Sequence, residues 1–280
     1  MTPRRSLLFA PANRTEVHDK ALASGADIVC LDLEDAVPPG AKALARAAAV
    51  PFLTGAAEEG PERVVRINAL RSADGLRDMT AILDAAPARG VVFLPKVMDA
   101  GEVRLAHDLL EEGAPGLRLA VLIETAEGLE NAGAILGASD RIVFAVFGGV
   151  DLAADLGVAM THEALLYARS RLVHAAARAG VDCLDVPCLA FRDEGAIRAE
   201  AEAARALGFT GKAMMHPAGV AAIHAVFTPS GEEVSRAERI VAAYRESPNG
   251  LATVDGKLVE RPVVRQMERV LARARVGGAA

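Results

Sequence analysis

Glu124 stands directly after the apolar run Leu119-Ala-Val-Leu-Ile123, and Asp151 follows Ile142-Val-Phe-Ala-Val-Phe147-Gly-Gly-Val150. A carboxylate at the end of a buried run does nothing for a core. Two such acids brought together supply two hard oxygen ligands. They leave room for water and a bidentate substrate, which is the donor set of an open Mg2+ site. The alternative for each acid is to cap a following helix or to pair with Lys96. Arg66 closes the run Val64-Val65, and its planar guanidinium suits a carboxylate or a developing enolate. It could equally pair with Glu34 or Asp35, in the stretch Asp32-Leu-Glu34-Asp35 that closes another run. Gly148 and Gly149 permit close backbone approach. The N–H groups of Gly149 and Val150 can then cradle a substrate carboxylate, or the pair is simply a tight turn.

Other reactive residues narrow the chemistry. No Gly-x-Ser-x-Gly elbow is present, which disfavours a serine nucleophile. Cys30, Cys183 and Cys188 lack Cys-x-x-Cys spacing and read as buried thiols in a reducing compartment. Lys96 is the one serious Schiff-base candidate. Lys212 is read as the beginning of a strand at the bottom of a barrel, with a structural role. Among the histidines only His216, before Pro217, closes an apolar run.

The elements that must position these residues follow from the apolar pattern. Eight short runs read as strands: Ser6–Ala10, Ile28–Leu33, Val64–Asn68, Val91–Pro95, Leu117–Ile123, Ile142–Phe147, Cys183–Val186 and Ala213–Met215. Most are continuous rather than alternating, as in parallel strands covered on both faces. Helical segments are expected near 13–24, 39–53, 72–86, 99–112, 128–137, 162–180, 193–208 and 217–226. Eight such units predict an α/β fold, a (β/α)8 TIM barrel over residues 1–228. No Gly-x-Gly-x-x-Gly follows the first strand, which counts against an open dinucleotide-binding sheet. In a barrel the chemistry gathers at the carboxyl ends of strands, where the acids, Arg66, Lys96, the Gly148-Gly149 pair and His216 all fall. Residues 229–280 form a C-terminal extension: a helix, a turn at Pro248-Asn249-Gly250, a hairpin about Asp255-Gly256, a helix from Pro262 to Arg275 and a loose end. No second core is expected there.

Composition excludes several classes. The chain has 280 residues, 52% hydrophobic, with net charge −6, 4% aromatic residues and no Trp. It lacks the basic footprint and stacking platforms of a nucleic-acid binder. Its basic residues are scattered, no stretch approaches a membrane span, and no secretory leader is read, so a cytoplasmic location is expected.

In order along the chain, Arg5-Ser-Leu-Leu-Phe-Ala-Pro-Ala-Asn-Arg14, Ser24-Gly-Ala-Asp-Ile-Val-Cys-Leu-Asp-Leu-Glu-Asp-Ala-Val37, Val65-Arg-Ile-Asn68, Leu94-Pro-Lys96, Ile123-Glu-Thr-Ala126, Phe147-Gly-Gly-Val-Asp151, Gly208-Phe-Thr-Gly-Lys212, Met215-His-Pro217 and Phe227-Thr-Pro229 resemble the citrate lyase β-subunit family. That family includes citryl-thioester and malyl-CoA-type lyases and lies in the phosphoenolpyruvate/pyruvate barrel group. The resemblance implies Mg2+ held by Glu124 and Asp151, with Arg66 on the keto acid. It implies a homotrimer or hexamer in which the C-terminal segment acts as a lid over a neighbour. Related lyases carry an acid/base Asp in Ile-Asp-x-Pro; the matching stretch is Val259-Glu-Arg-Pro262, which puts Glu260 in that place. The implied reaction is a Claisen-type cleavage of a hydroxyacyl thioester, on CoA or an acyl carrier, to oxaloacetate or glyoxylate and an acetyl thioester. The base is then Glu260, or a water held by Asp32 or Glu34. Arg14, with Arg4, Arg5 and Lys20, would meet CoA phosphates or form a solvated face. Two rivals remain: a metal-dependent pyruvate-type aldolase on free hydroxy-keto acids, and a keto-acid-binding protein without turnover.

Overall fold

The computed structural model describes residues 3–247 and 249–276. Pro248, expected in a turn, and 277–280, expected as a loose end, lie outside the described residues. The chain divides into two compact units, one spanning Arg4–Ile223 and the other beginning at His224.

In the first unit eight strands close into a parallel barrel in sequence order. They are β1 (Ser6–Pro11), β2 (Ile28–Asp32), β3 (Glu62–Arg66), β4 (Val91–Leu94), β5 (Arg118–Ile123), β6 (Ile142–Phe147), β7 (Asp182–Asp185) and β8 (Gly211–Met214). Around them lie α1 (His18–Leu22), α2 (Lys42–Thr54), α3 (Ala73–Ala85), α4 (Ala100–Gly113), α5 (Ala126–Glu130), α6 (Ala132–Leu136), α7 (Gly149–Leu156), α8 (His162–Ala179) and α9 (Glu194–Leu207), and α10 (Val220–Phe227) carries the chain into the second unit. The (β/α)8 expectation holds. One helix was not foreseen: the chain passes from Gly148 straight into α7, so Asp151 lies in a first helical turn rather than in a loop. The segment expected near 128–137 is two short helices, α5 and α6, meeting at Asn131.

Side chains at the strand-to-helix junctions start the helices. Ser72, Asp99, Thr125 and Asp193 each accept a backbone N–H from the first turn that follows. Such caps contribute about 1 kcal/mol each and fix where the loop ends. Alternate strand residues fill the barrel: Leu7, Ile28, Cys30, Val64, Phe93, Leu122, Phe144, Val146, Leu184 and Ala213 belong to one buried cluster. Rings run across it, with centroids 6.3 Å apart for Phe9–Phe93 and 5.8 Å for Phe93–Phe144. The interior is a packed plug, so substrates can meet the barrel only at its rims.

The second unit contains α11 (Gly231–Glu246), β9 (Ala252–Val254), β10 (Lys257–Val259) and α12 (Arg261–Val276). Ser230 and Glu233 complete a reciprocal capping box at the start of α11. The two strands pair antiparallel about Asp255-Gly256, as the turn residues predict. Contrary to expectation, this unit has a small core of its own. Ile240, Val241, Val259 and Val264 are buried, with Tyr244, Val254, Met267 and Leu271 packed on them. Apolar residues three or four apart on the two helices meet the hairpin, a coincidence that sequence separation conceals. Among the described residues no helix is long and apolar enough to cross a membrane.

Candidate active site

Arg66 is the last residue of β3 and is paired in register with Asp32, the last of β2. Its Nε donates to Asp32 Oδ1 at 2.7 Å and its Nη2 to Asp32 Oδ2 at 2.6 Å, a bidentate clamp. Its Nη1 lies 3.1 Å from Glu34 Oε2. The guanidinium carbon rests 5.0 Å above the Phe9 ring, so Arg66 is seated on the top of the barrel plug. Asp35, offered as an alternative partner, pairs with Lys96 instead. Burial opposes the Arg66 charge, but the hydrogen bonds and charge of Asp32, with Glu34, outweigh it and hold the group above its usual range. Burial likewise opposes the Asp32 charge, and Arg66 outweighs it, keeping the carboxyl below its usual range. Asp32 also accepts the backbone N–H groups of Glu34 and Ala36. With both oxygens occupied and a lowered pKa, Asp32 is shaped to hold Arg66 rather than to take a proton.

Glu124 follows β5 and is 1% exposed. Its Oε1 accepts the backbone N–H of Lys96 at 2.8 Å. Lys96 has a positive φ of 52°, rare for a side chain of this size, and that bend turns its N–H toward the carboxylate. The Lys96 ammonium points elsewhere, 2.5 Å from Glu34 Oε1 and 3.3 Å from Asp35 Oδ1. Thr125, not Glu124, caps α5. Both alternatives weighed for Glu124, a helix cap and an ion pair with the Lys96 side chain, are therefore taken by other groups. Glu124 Oε2 is buried and, among the described residues, accepts no hydrogen bond. Burial, then the charges of Glu34 and Asp151, push its pKa up to about 8. Glycine at 148 makes this placement possible: a methyl there would lie 2.3 Å from Glu124 Cβ.

The rim therefore gathers five carboxylates (Asp32, Glu34, Asp35, Glu124 and Asp151) about three cations: Arg66, Lys96 and Lys42, whose ammonium sits on the Glu34 carbonyl. Burial pushes the Glu34 pKa up against the opposing pull of Arg66 and Lys96. An orphaned buried oxygen and surplus negative charge fit a divalent cation at Glu124 and Asp151. Among the described residues no three acids, histidines or cysteines form a closed metal cage. Two protein carboxylates leave positions for a chelating substrate.

Lys42 was not foreseen. From α2 its Nζ donates at 2.7 Å to each of Leu33 O, Glu34 O and Asn68 Oδ1, tying the ends of β2 and β3 together. Nothing about a lysine in an Ala-rich helix signals this. Three other expectations change. Arg4 pairs with Glu62 and Asp182, and Arg5 with Asp27. Both precede β1, at the rim opposite the site, where they brace strand starts. Lys212 is the second residue of β8 but does not serve the bottom of the barrel: its side chain faces outward and reaches Val186 O at the carboxyl end of β7. A four-carbon stem along a tilted strand spans that distance. His216 Nδ1 accepts the Ala218 N–H and its ring lies 5.7 Å from Phe191, a capping role. Arg14, beyond the end of β1, is exposed and lies 3.0 Å from Glu16. Glu260 is exposed in the second unit, where its carbonyl accepts the first N–H groups of α12.

Comparison with known proteins matches residues 5–217 to the HpcH/HpaI aldolase/citrate lyase family. A (3S)-malyl-CoA thioesterase of Cereibacter sphaeroides is 36% identical over 277 residues, covering 97% of this chain and 95% of its own. The citrate lyase subunit beta of Leuconostoc mesenteroides is 32% identical over 283 residues, covering 96% and 92%. Among solved structures, the protein CitE of Mycobacterium tuberculosis in complex with magnesium, acetoacetate and coenzyme A is 33% identical. It superposes with a TM-score of 0.81 over 98% of both chains.

Proposed function

The chain belongs to the HpcH/HpaI aldolase/citrate lyase family, and we propose that it is a Mg2+-dependent carbon–carbon lyase that cleaves, or in reverse forms, a hydroxyacyl thioester such as citryl- or malyl-CoA. The observation that carries the reading is Glu124: a fully buried carboxylate with one orphaned oxygen, in a rim where acids outnumber bases. Glu124 and Asp151 hold the metal. When bound, Mg2+ supplies Lewis-acid stabilisation of the keto-acid oxygens. Arg66, locked by Asp32 and Glu34, binds the substrate's carboxylate side and meets charge that grows as the bond breaks. The backbone N–H groups of Gly149 and Val150 orient the same carboxylate.

Cleavage begins when a base removes the hydroxyl proton. The new carbonyl forms as the neighbouring C–C bond breaks, and the bond pair leaves as the enolate of the acetyl thioester. Proton return to that carbon gives acetyl thioester beside oxaloacetate or glyoxylate. We assign the base role to Glu260, delivered by residues 229–280 as a lid over a neighbouring protomer in a homotrimer or hexamer, with a water held by Glu34 as the other route. Arg14, free of the barrel wall, faces the CoA phosphates. The protein works in the cytoplasm.

A panel of citryl-, malyl- and citramalyl-CoA against free hydroxy-keto acids, with Mg2+, tests the reading by product analysis. Oxo acid plus acetyl-CoA supports it. Turnover of free acids alone identifies an aldolase, and keto-acid binding with no turnover identifies a binding protein. The thioesterase relatives favour a second reading, hydrolysis of the same thioester, which would yield free hydroxy acid and CoA. Glu260→Ala is expected to slow turnover on the order of 100-fold without changing Mg2+ half-saturation. A change in thermal stability alone would assign Glu260 to capping α12.

A further inference from the structure

We infer that Lys212 is a positioning residue that holds the Gly149–Asp151 turn in place from outside the barrel, an inference that rests on the lyase reading. The seam between β7 and β8 is short. It has two register pairs, Leu184↔Gly211 and Asp185↔Lys212, where β1–β2 and β2–β3 have five each. Val186 is the first residue past that ladder, and a side chain takes up its carbonyl: Lys212 Nζ donates to Val186 O at 2.7 Å. The lysine is 1% exposed, yet Ala213 beside it belongs to the barrel interior, so Lys212 projects outward toward the helices. There its ammonium also meets Asp185 Oδ2 at 2.9 Å and Glu200 Oε2 of α9 at 3.0 Å. Arg169 of α8 holds the same Asp185 oxygen at 2.9 Å. Two cations and two carboxylates thus balance, and the ammonium is fixed by three acceptors.

Val186 matters because of what stands on either side of it. On the site side it shoulders Gly149, where a methyl would lie 3.3 Å from Val186 Cγ1. On the other side is a cleft of about 310 Å³ between α8 and α9, lined in part by Phe147, Leu165, Arg169, Asp185 and Val186. With the cleft there, helix packing only partly supports the end of β7 from behind. The Lys212 bond to the Val186 carbonyl completes that support, and it stops β7 from receding into the cleft and taking the Gly149–Val150 N–H groups with it.

The test compares wild type, Lys212→Met and the charge-balanced pair Asp185→Asn/Lys212→Met. Two readouts are used, amide hydrogen exchange across residues 147–152 and steady-state kinetics on malyl-CoA with Mg2+. Removing the ammonium is expected to raise exchange at least tenfold in that segment while leaving the Cys30–Asp32 strand unchanged. KM should rise about tenfold, with kcat within threefold. The balanced pair should recover thermal stability but not KM or protection, and Lys212→Arg should restore most of both. Unchanged exchange at 147–152 overturns the inference, as does a KM that recovers together with stability in the balanced pair. A wild-type chain inactive on every thioester refutes the lyase reading instead, and the clamp is then decided by exchange alone.

Discussion

Two buried ionic clusters sit within one barrel and differ in kind. Behind β7 and β8, Lys212 and Arg169 face Asp185 and Glu200, so charge is matched. At the rim of β2 to β6, five acids face three cations, Glu124 Oε2 lacks a hydrogen bond among the described residues, and Lys96 is bent into the left-handed region. Burial alone does not separate them, since Asp185 and Glu124 are each 1% exposed. Balance does. The matched cluster braces the wall, although its Asp185 Oδ1 is also buried without a hydrogen bond among the described residues. An unmatched one is held ready for a charge that arrives from solution.

The sharpest break of this contrast is at the proposed metal pair. Glu124→Gln and Asp151→Asn are each expected to abolish Mg2+-dependent turnover while circular dichroism stays native; full turnover in either would put the metal elsewhere. Across the barrel, Asp185→Asn leaves Arg169 and Lys212 buried without their shared partner. It should cost about 3–5 kcal/mol of stability in denaturant titration. A loss under 1 kcal/mol would mean the outer cluster is not the brace described. Arg66→Ala should lower kcat/KM by about 2–4 kcal/mol of transition-state stabilisation. A change below threefold would remove Arg66 from the reaction.

The last test is a pH slope. Folded, Glu124 stays protonated to about pH 8, whereas unfolded it ionises in the ordinary carboxylate range. Between those values the folded chain binds more protons, so Glu124 makes the metal-free protein lose stability as pH rises toward 8. Thermal melts from pH 5.5 to 8.5 should show that decline. Glu124→Gln should flatten it, and so should saturating Mg2+, which offsets the buried charge.

How far each cluster was legible from the chain follows the same division. Glu124, Asp151 and Arg66 were visible because a charged residue closing an apolar run breaks a local pattern. The barrel was visible because eight such runs alternate with helical segments. The outer cluster left no such mark. Lys212 and Asp185 lie within strands, and Arg169 sits in a helix where arginine is unremarkable. Lys42, which ties β2 to β3, is equally silent. Nor does the pattern around Phe147-Gly-Gly announce α7, because glycine reads locally as a turn.

The linear order of residues thus determined the strand ends and the chemistry placed on them, since apolar period and charge are properties of neighbours along the chain. Only the closed barrel decided which carboxylates are shared, which are orphaned, and that Asp32 is a holder and not a base. Those outcomes depend on strand register and on electrostatics between residues 27 to 90 positions apart, which no local window contains.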